Sequence, residues 1–597
     1  MSDNFYLDNP DLRFRVESSD LSDIVAIKEK DYSSSKVWPT APRDYADAQD
    51  NWRIILEILG EICATIIAPR AAEADEEGAT FDKGVVTYAK ATQAAIEAFR
   101  KSEILGCMLP WEYGGLNLPE TVYQAMIEMV SRAEGGLMTI FGLQEIAATI
   151  NEFADESIKK RVLPRFSRGE VFGAMVLTEP DAGSDLGSVQ CRAFLDAEGK
   201  WRVNGVKRFI TNGNADIHLV LARSEDGTRD ARGLSMFLIE KDETVRVRRI
   251  ENKLGIHSSP TCELQYSNSP AELVGKRRFG LMRCAMALMN GARLAVAAQA
   301  LGIAEAAYRE ALRYAGERAQ FGKTIAELPA VSRMLVSMKG EIEAARALIF
   351  ETSRWVDVLK SCELRQEEDE KAGKPKDPTL IAKKKQASNL ADMLTPLSKY
   401  YASESGNRVA YKGLQIHGGV GYMKEFNAER HVRDVRITNI YEGTSQLQVV
   451  AALGKMVGRG LDPLFDQWAA LDFGGGLAGD LAGDLADVKA RLSSSTELFK
   501  GCCDKLHEQE RDVVDYFGSD LMDMAAAVFN SWLLLRDARG AASPGSTGAD
   551  AATAARKADL VRAYCAEHLP RSDAAGAAIM ALELTAILNR QRILGFS

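Results

Sequence analysis

The run Tyr441-Glu442-Gly443-Thr444-Ser445-Gln446, just ahead of an apolar helical stretch, has the strongest chemical character in the chain. It sets one carboxylate among small hydrogen-bonding side chains, a setting in which a carboxylate can serve as a general base. Upstream lies a glycine-rich turn, LQIHGGVGYMKE. A second polar turn, MVLTEPDAGSDLGSV, clusters Thr178, Ser184 and Asp185 around Gly183. Its hydroxyls and backbone N–H groups suit a flat polar ring or a phosphate. KRFITNGN offers Phe209 for stacking and Thr211 for hydrogen bonding. ERAQFGKTI sets Arg318 beside Gln320 and Phe321, and an arginine there can grip a pyrophosphate. Taken singly, each reads more readily as ordinary structure: a solvated helix-end carboxylate, a polar turn, a solvated helical arginine. The nine Cys and six His are dispersed, with no CxxC pair and no HExxH. Reduced thiols and no metal site are expected.

The totals bound what these residues can belong to. A chain of 597 residues has room for two to four domains. Apolar residues at 46% and charged residues at 26% fit a soluble globular protein with a large core. A formal net charge of −10 argues against a nucleic-acid partner but allows a phosphorylated cofactor in a local basic site. No run reaches the roughly 18 uncharged apolar residues of a membrane span. The opening MSDNFYLDNPDLRFRVE resembles neither a secretory signal nor a transit peptide, so a cytoplasmic location is expected.

Elements that could position these residues follow from periodicity. Residues 1–45 read as an extended acidic arm with Pro39 and Pro42. Residues 46–168 read as a helical domain: Ile55, Ile58, Leu59, Ile62 and Ile66 fall on one helix face, and LPWEYGGLNLP is a turn-rich break. Short β-rich runs separated by Gly, Asp and Asn turns make 169–280 a compact barrel or sandwich. Helical periodicity resumes at Met286 and defines a domain over 281–459, in which the charge-dense 362–387 reads as a solvated face or loop. Residues 460–597 read as an additional helical domain with a short repeat at 477–488 and a flexible linker at 541–553.

The ordered series TEPDAGSD, FITNG, NGARLAVAAQALG, ERAQFGK, LQIHGGVGY and IYEGTSQLQ resembles the acyl-CoA dehydrogenases from about residue 45 to 460. The N-terminal arm and C-terminal extension resemble the large branch of that family, which includes 3-methylmercaptopropionyl-CoA dehydrogenase-like enzymes. The resemblance implies an α+β fold: an N-terminal helical domain, a middle β-barrel domain, a C-terminal four-helix bundle and an extra helical domain. It also implies FAD between barrel and bundle. Met175, Leu177, Thr178 and Ser184 would line the flavin, Phe209 and Thr211 would lie beside its ring, and Thr444 and Gln446 would complete the site. Arg318, Phe321 and the segment Gln415, Ile416, Gly418 and Gly419 would hold the dinucleotide end of FAD on a partner subunit. Ser184, Asn290, Arg293, Tyr441 and Gly443 would contact the acyl-CoA.

In this family a carboxylate takes the α-proton of the thioester while the β-hydrogen leaves as hydride. Glu442 matches that base. Some branches carry the base on the NGARL helix instead, but Gly291 and Ala292 cannot accept a proton here. Three departures stand out: Phe209 replaces a commoner Trp, Asp181 a commoner Gly, and Pro329 a polar residue. The expected activity is dehydrogenation of an acyl-CoA, with electrons passed to an electron-transfer flavoprotein, by a homodimer or homotetramer. An oxygen-using oxidase and a scaffold without turnover are the alternatives. The branch points to a methylthio, cyclic or aromatic-derived acyl group.

Overall fold

The structure, a computed structural model, describes residues 3–473, 480–542 and 551–595. The first 45 residues do not form the extended arm expected of them. They fold into helices α1 (Pro10–Ser18) and α2 (Ser22–Lys28) and a 3-10 turn. Asn9 accepts a hydrogen bond from Leu12 N at 3.2 Å and Pro10 stands at the first helical position, a strong start signal. Tyr6, Leu12, Phe14, Leu21, Ile24 and Val25 are buried, so the segment contributes to the core.

The N-terminal domain comprises α3 (Tyr45–Ile62), α4 (Ala71–Glu77), a small hairpin of β1 (Thr80–Asp82) and β2 (Val85–Thr87), α5 (Lys90–Lys101), α6 (Glu120–Ala133), α7 (Met138–Phe141), α8 (Glu145–Phe153) and α9 (Glu156–Ser167). The middle domain holds β3 (Gly173–Val176), β4 (Arg192–Leu195), β5 (Trp201–Thr211), β6 (Ile217–Arg223), β7 (Leu234–Glu240), β8 (Val245–Ile250) and β9 (Thr261–Val274). Strand order β3-β6-β4-β5-β9-β7, closed by β6 on β7, makes a barrel, with β8 paired to β9. Two expected strands, at 200–205 and 208–212, are one strand, β5. Strands β8 and β9 had not been anticipated. The pattern VRVRRI of β8 alternates apolar-in and charged-out, as a strand with one solvated face must.

Helices α10 (Met286–Glu317), α11 (Pro329–Lys371), α12 (Pro378–His417) and α14 (Ser445–Val457), with the short α13 (Ala428–Val435), form the bundle. Pro329 and Pro378 both open helices, where a missing N–H costs nothing. The 362–387 charge run is therefore two helix ends around a short turn. α10 and α12 run side by side in the same direction and very close: a Cβ at Gly406 would lie 3.1 Å from Ala300 O, and one at Gly413 3.3 Å from Ala307 O. α10 with its preceding turn, Gly280–Glu317, is long and apolar enough to cross a membrane, but 67% of its most apolar window is buried inside the protein. Packing against α6 and α12 accounts for that apolarity.

Beyond the bundle come α15 (Asp462–Ala469), α16 (Asp480–His507), α17 (Arg511–Tyr516), α18 (Gly518–Ala542) and α19 (Ala551–Ala581), which continues through Pro570. The repeat at 477–488 begins outside the described residues and continues as the start of α16. The linker at 541–553 falls largely outside them. α18 is the most buried of the added helices, and α18 and α19 pack on α11. The N-terminal segment meets them there: Asp11 pairs with Lys339 at 2.8 Å, Arg556 at 2.7 Å and Lys557 at 3.3 Å, and Arg15 pairs with Asp537.

Candidate active site

The three central domains meet around one cavity. The N-terminal domain contributes Met138, Thr139, Gly142 and Leu143; the bundle contributes Met289, Ala292, Ala295, Val296, Tyr441, Glu442 and Gly443. The barrel contributes Met175, Leu177, Thr178, Gly183, Leu186, Phe209, Ile210 and Thr211. The barrel wall is set by a buried ion pair. Lys207, fully enclosed, pairs with Glu179 at 2.9 Å and donates to Leu177 O at 2.7 Å. Glu179 in turn accepts from Gln190 N and Cys191 N at 2.7 and 2.9 Å. This fixes the polar turn after β3, so Thr178 and Gly183 face the cavity.

Phe209 sits where β5 slips register against β9, between Lys207 and Ile210. Its φ of 60° lies in the left-handed region, and the residue stays 52% exposed. A bulge of this kind re-aims one side chain out of the sheet. The Arg208 guanidinium lies 4.7 Å from the ring centroid.

Glu442 also has a left-handed φ, 56°, followed by Gly443 at 87°. Such a conformation persists in a non-glycine residue only when its surroundings impose it. Here they do. Lys399 Nζ on α12 donates to Gly443 O at 2.7 Å; Gln448 Nε2 donates to the same oxygen at 2.8 Å and to Glu442 O at 3.1 Å. The Tyr441 hydroxyl donates to Gln299 Oε1, and Gln299 Nε2 donates to Gly135 O at 2.8 Å. Thr444 caps α14 by accepting from Leu447 N at 3.4 Å, so Glu442 lies just before a helix N-terminus. Burial pushes the Glu442 carboxyl up to about 7, against the pull of Lys399 and Arg293. A carboxylate so placed is a stronger base than an exposed one. Behind the wall, burial and the nearby Glu120 hold the Glu145 carboxyl well above its usual range, and a Cβ at Gly291 would overlap its Oε2.

The structure brings together Met175, Leu177, Thr178, Phe209, Thr211, Tyr441, Glu442 and Gly443. Ser184 is exposed beside Gly183 and outside the cavity lining. Thr444 and the exposed Gln446 face away, into α14 and solvent. Arg293 is buried, bonded to Asn290 Oδ1 at 3.1 Å and within the field of Glu442; neither Asn290 nor Arg293 lines the cavity. Arg318, Phe321, Gln415, Gly418 and Gly419 are exposed together at the far end of the bundle, with Ile416 buried among them. They cannot reach this chain's own cavity. The four N-terminal-domain residues of the wall, and Lys399, Gln299 and Gln448, were not anticipated. Lys399 is the one with a readable signal, a lysine inside the apolar run LTPLSKYYA.

Family models for the acyl-CoA dehydrogenase N-terminal, middle and C-terminal domains match residues 50–170, 174–269, and 282–366 with 380–453. The chain belongs to the acyl-CoA dehydrogenase family. It is 34% identical over 453 residues to the 3-methylmercaptopropionyl-CoA dehydrogenase of Ruegeria pomeroyi, covering 70% of this chain and 73% of that one. It resembles the butyryl-CoA dehydrogenase structure of Megasphaera elsdenii at 30% identity and a TM-score of 0.57, over 68% of this chain and 97% of that one. An acyl-CoA dehydrogenase structure from Bacillus anthracis shares the fold over 89% of this chain and 88% of that one, at 23% identity and a TM-score of 0.73. FAD is the cofactor of acyl-CoA dehydrogenases, and the residues here fit it. The cavity is a slot with apolar faces from Met175, Leu177 and Ile210, hydroxyls from Thr178 and Thr211, and an exposed aromatic ring at its mouth.

Proposed function

We propose that this acyl-CoA dehydrogenase desaturates the α,β bond of its thioester substrate with Glu442 as the base. The observation that carries the reading is a half-buried carboxyl lining the cavity where three domains meet, with its pKa raised to about 7. In that position Glu442 takes the α-proton and holds it away from water. The backbone N–H of Glu442 would donate to the charge developing on the thioester oxygen, a preorganised donor of the oxyanion-hole type. FAD supplies the acceptor for the β-hydride. Met175, Leu177, Thr178, Phe209 and Thr211 would hold its ring, and Arg318, Phe321 and residues 415–419 of a second copy its dinucleotide end. The exposed Phe321, Tyr422 and Met423, at 90%, 76% and 51%, support a two-chain site at that end of the bundle. An electron-transfer flavoprotein would receive the electrons.

The substrate we favour is a short, non-standard acyl-CoA of the methylthio type. Met138, Met175 and Met289 line the cavity, and polarisable thioether walls suit a sulfur-bearing chain. Anaerobic titration with straight-chain, branched, cyclic and methylthio acyl-CoAs, following flavin bleaching, tests the reading. Bleaching is expected with the methylthio compound in the wild type. It is expected to fall at least ~10³-fold in rate in Glu442→Gln with FAD retained, since a base removed outright loses the whole proton-transfer contribution. Wild-type bleaching by that variant would exclude Glu442 as the base.

A further inference from the structure

Three side chains clasp the Glu442 turn, and only one of them carries charge. Lys399 rises from the middle of α12, where its side chain is completely enclosed. Its neighbours Leu394, Leu397, Tyr400 and Tyr401 are buried, as a bundle core requires. An ammonium in such a place is costly unless something specific receives it. The one hydrogen bond it makes among the described residues is to Gly443 O, the carbonyl next to Glu442. Gln448 supplies the same carbonyl with a neutral donor, so the turn has a hydrogen bond without Lys399. What Lys399 adds is a positive charge beneath the carboxyl.

We propose that Lys399 is a positioning residue that sets the ionisation of Glu442, acting through its charge under the Glu442-Gly443 turn. The inference rests on the reading of Glu442 as the base. The groups that face Glu442 are few: Lys399 from α12, Arg293 from α10, Glu145 from α8 and the neighbouring Tyr441. Glu404, on α12, faces Lys399 and is itself engaged by Asn439 Nδ2 at 2.5 Å and Ser445 Oγ at 2.6 Å. Lys399 and Arg293 favour the carboxylate, while burial opposes it. Burial also pulls the Lys399 ammonium down to about 7, with Glu442 holding it up. Each group thus supports the charged form of the other near neutrality. When Glu442 takes a proton that support is withdrawn, and the Lys399 ammonium is held less strongly.

The test compares full-length holoenzyme with Lys399→Gln, which keeps a donor without charge, Lys399→Met, which removes both, and Lys399→Arg, which keeps the charge. The primary readout needs no substrate: the protonated-carboxyl infrared band, assigned by its loss in Glu442→Gln, is followed against pH. Its midpoint is expected to rise by about one unit or more in Lys399→Gln and Lys399→Met, the usual size for loss of a close opposite charge. Lys399→Arg should restore it. With butyryl-CoA as probe, anaerobic bleaching at pH 7 should slow about fivefold in the uncharged variants and recover at higher pH, the change in ionised fraction that a one-unit rise from about 7 produces. An unmoved midpoint in both uncharged variants would overturn the proposal. So would failure of both to fold while Lys399→Arg folds, which would make Lys399 a purely structural ion. Wild-type bleaching by Glu442→Gln would remove the base reading while leaving the measured hold of Lys399 on Glu442 intact.

Discussion

Glu442 shows how a single residue's ionisation becomes visible in the whole protein's behaviour. Its carboxyl is raised from 4.5 to about 7 by burial. If Glu442 is the proposed base, the rate of substrate-driven flavin bleaching is expected to rise as pH passes upward through about 7, where its carboxyl becomes ionised. Stability moves the other way. The raised group binds a proton more tightly in the folded state, so its contribution is full below the unfolded value and lost as pH rises through about 7. Thermal melts of wild type and Glu442→Gln should then diverge between pH 5 and 8, with the variant gaining on the wild type at the higher pH. Glu442 was legible in the sequence because its neighbours form a distinctive ordered motif. Lys399 left only a faint signal, a lysine inside the apolar run LTPLSKYYA, and the packing of α12 is what shows its side chain enclosed. Arg318, Phe321 and residues 415–419, proposed for the dinucleotide end, were legible as a motif, but one chain's geometry leaves them at the far end of the bundle from its own cavity.

Among the elements, the bundle is held by charge as well as by close packing. Arg346 of α11 is completely enclosed and pairs with Glu128 of α6 at 2.7 Å, Glu305 of α10 at 2.9 Å and Glu343. Three carboxylates around one guanidinium make its removal severe, since an uncompensated buried charge costs about 3–5 kcal/mol. Arg346→Met is expected to lower the unfolding free energy read from chemical denaturation by that amount, and a value unchanged within error would count against it. Element existence was readable for α3, α6, α10 and α18, where apolar spacing is strong. The β8 and β9 strands were missed for an identifiable reason. β8 carries three arginines, and β9 contains Pro270 and a left-handed Asn268, all of which dilute a strand pattern. The 362–387 charge run is solvated as expected, on two helix ends around a short turn, because helix ends projecting into solvent need no apolar face.

Over the whole molecule, the first helix and the added C-terminal helices form one unit with the outer face of α11. Burial alone would raise the Asp11 carboxyl, but Lys339, Lys557 and Arg556 outweigh it and hold it well below the usual carboxylate range. Its contribution to stability is present above the unfolded value of 3.8 and is lost as pH falls below it. Asp11→Asn is expected to speed amide exchange across α18 and α19 at pH 7 while leaving the barrel strands protected. Equal exchange in both helices would show that the apolar contacts hold them without the ion pairs. The extended-arm reading failed at this scale, since nothing local in residues 1–45 announces partners more than five hundred residues away.

That separation also orders the events of synthesis. Asp11 meets Arg556 across 545 residues. Translation delivers residues at ~5–20 per second, so α1 waits at least tens of seconds for the helices that complete its burial. During that interval Phe14, which packs with Ala541 and Ala554 under the Lys557 ammonium, is uncovered on that side, while the contacts of α1 with α6 and α11 can already form. A ribosome that stops before α19 releases a product whose catalytic domains can be complete but whose earliest helix lacks its seat. Asp11 and Arg15 then stay without Arg556, Lys557 and Asp537.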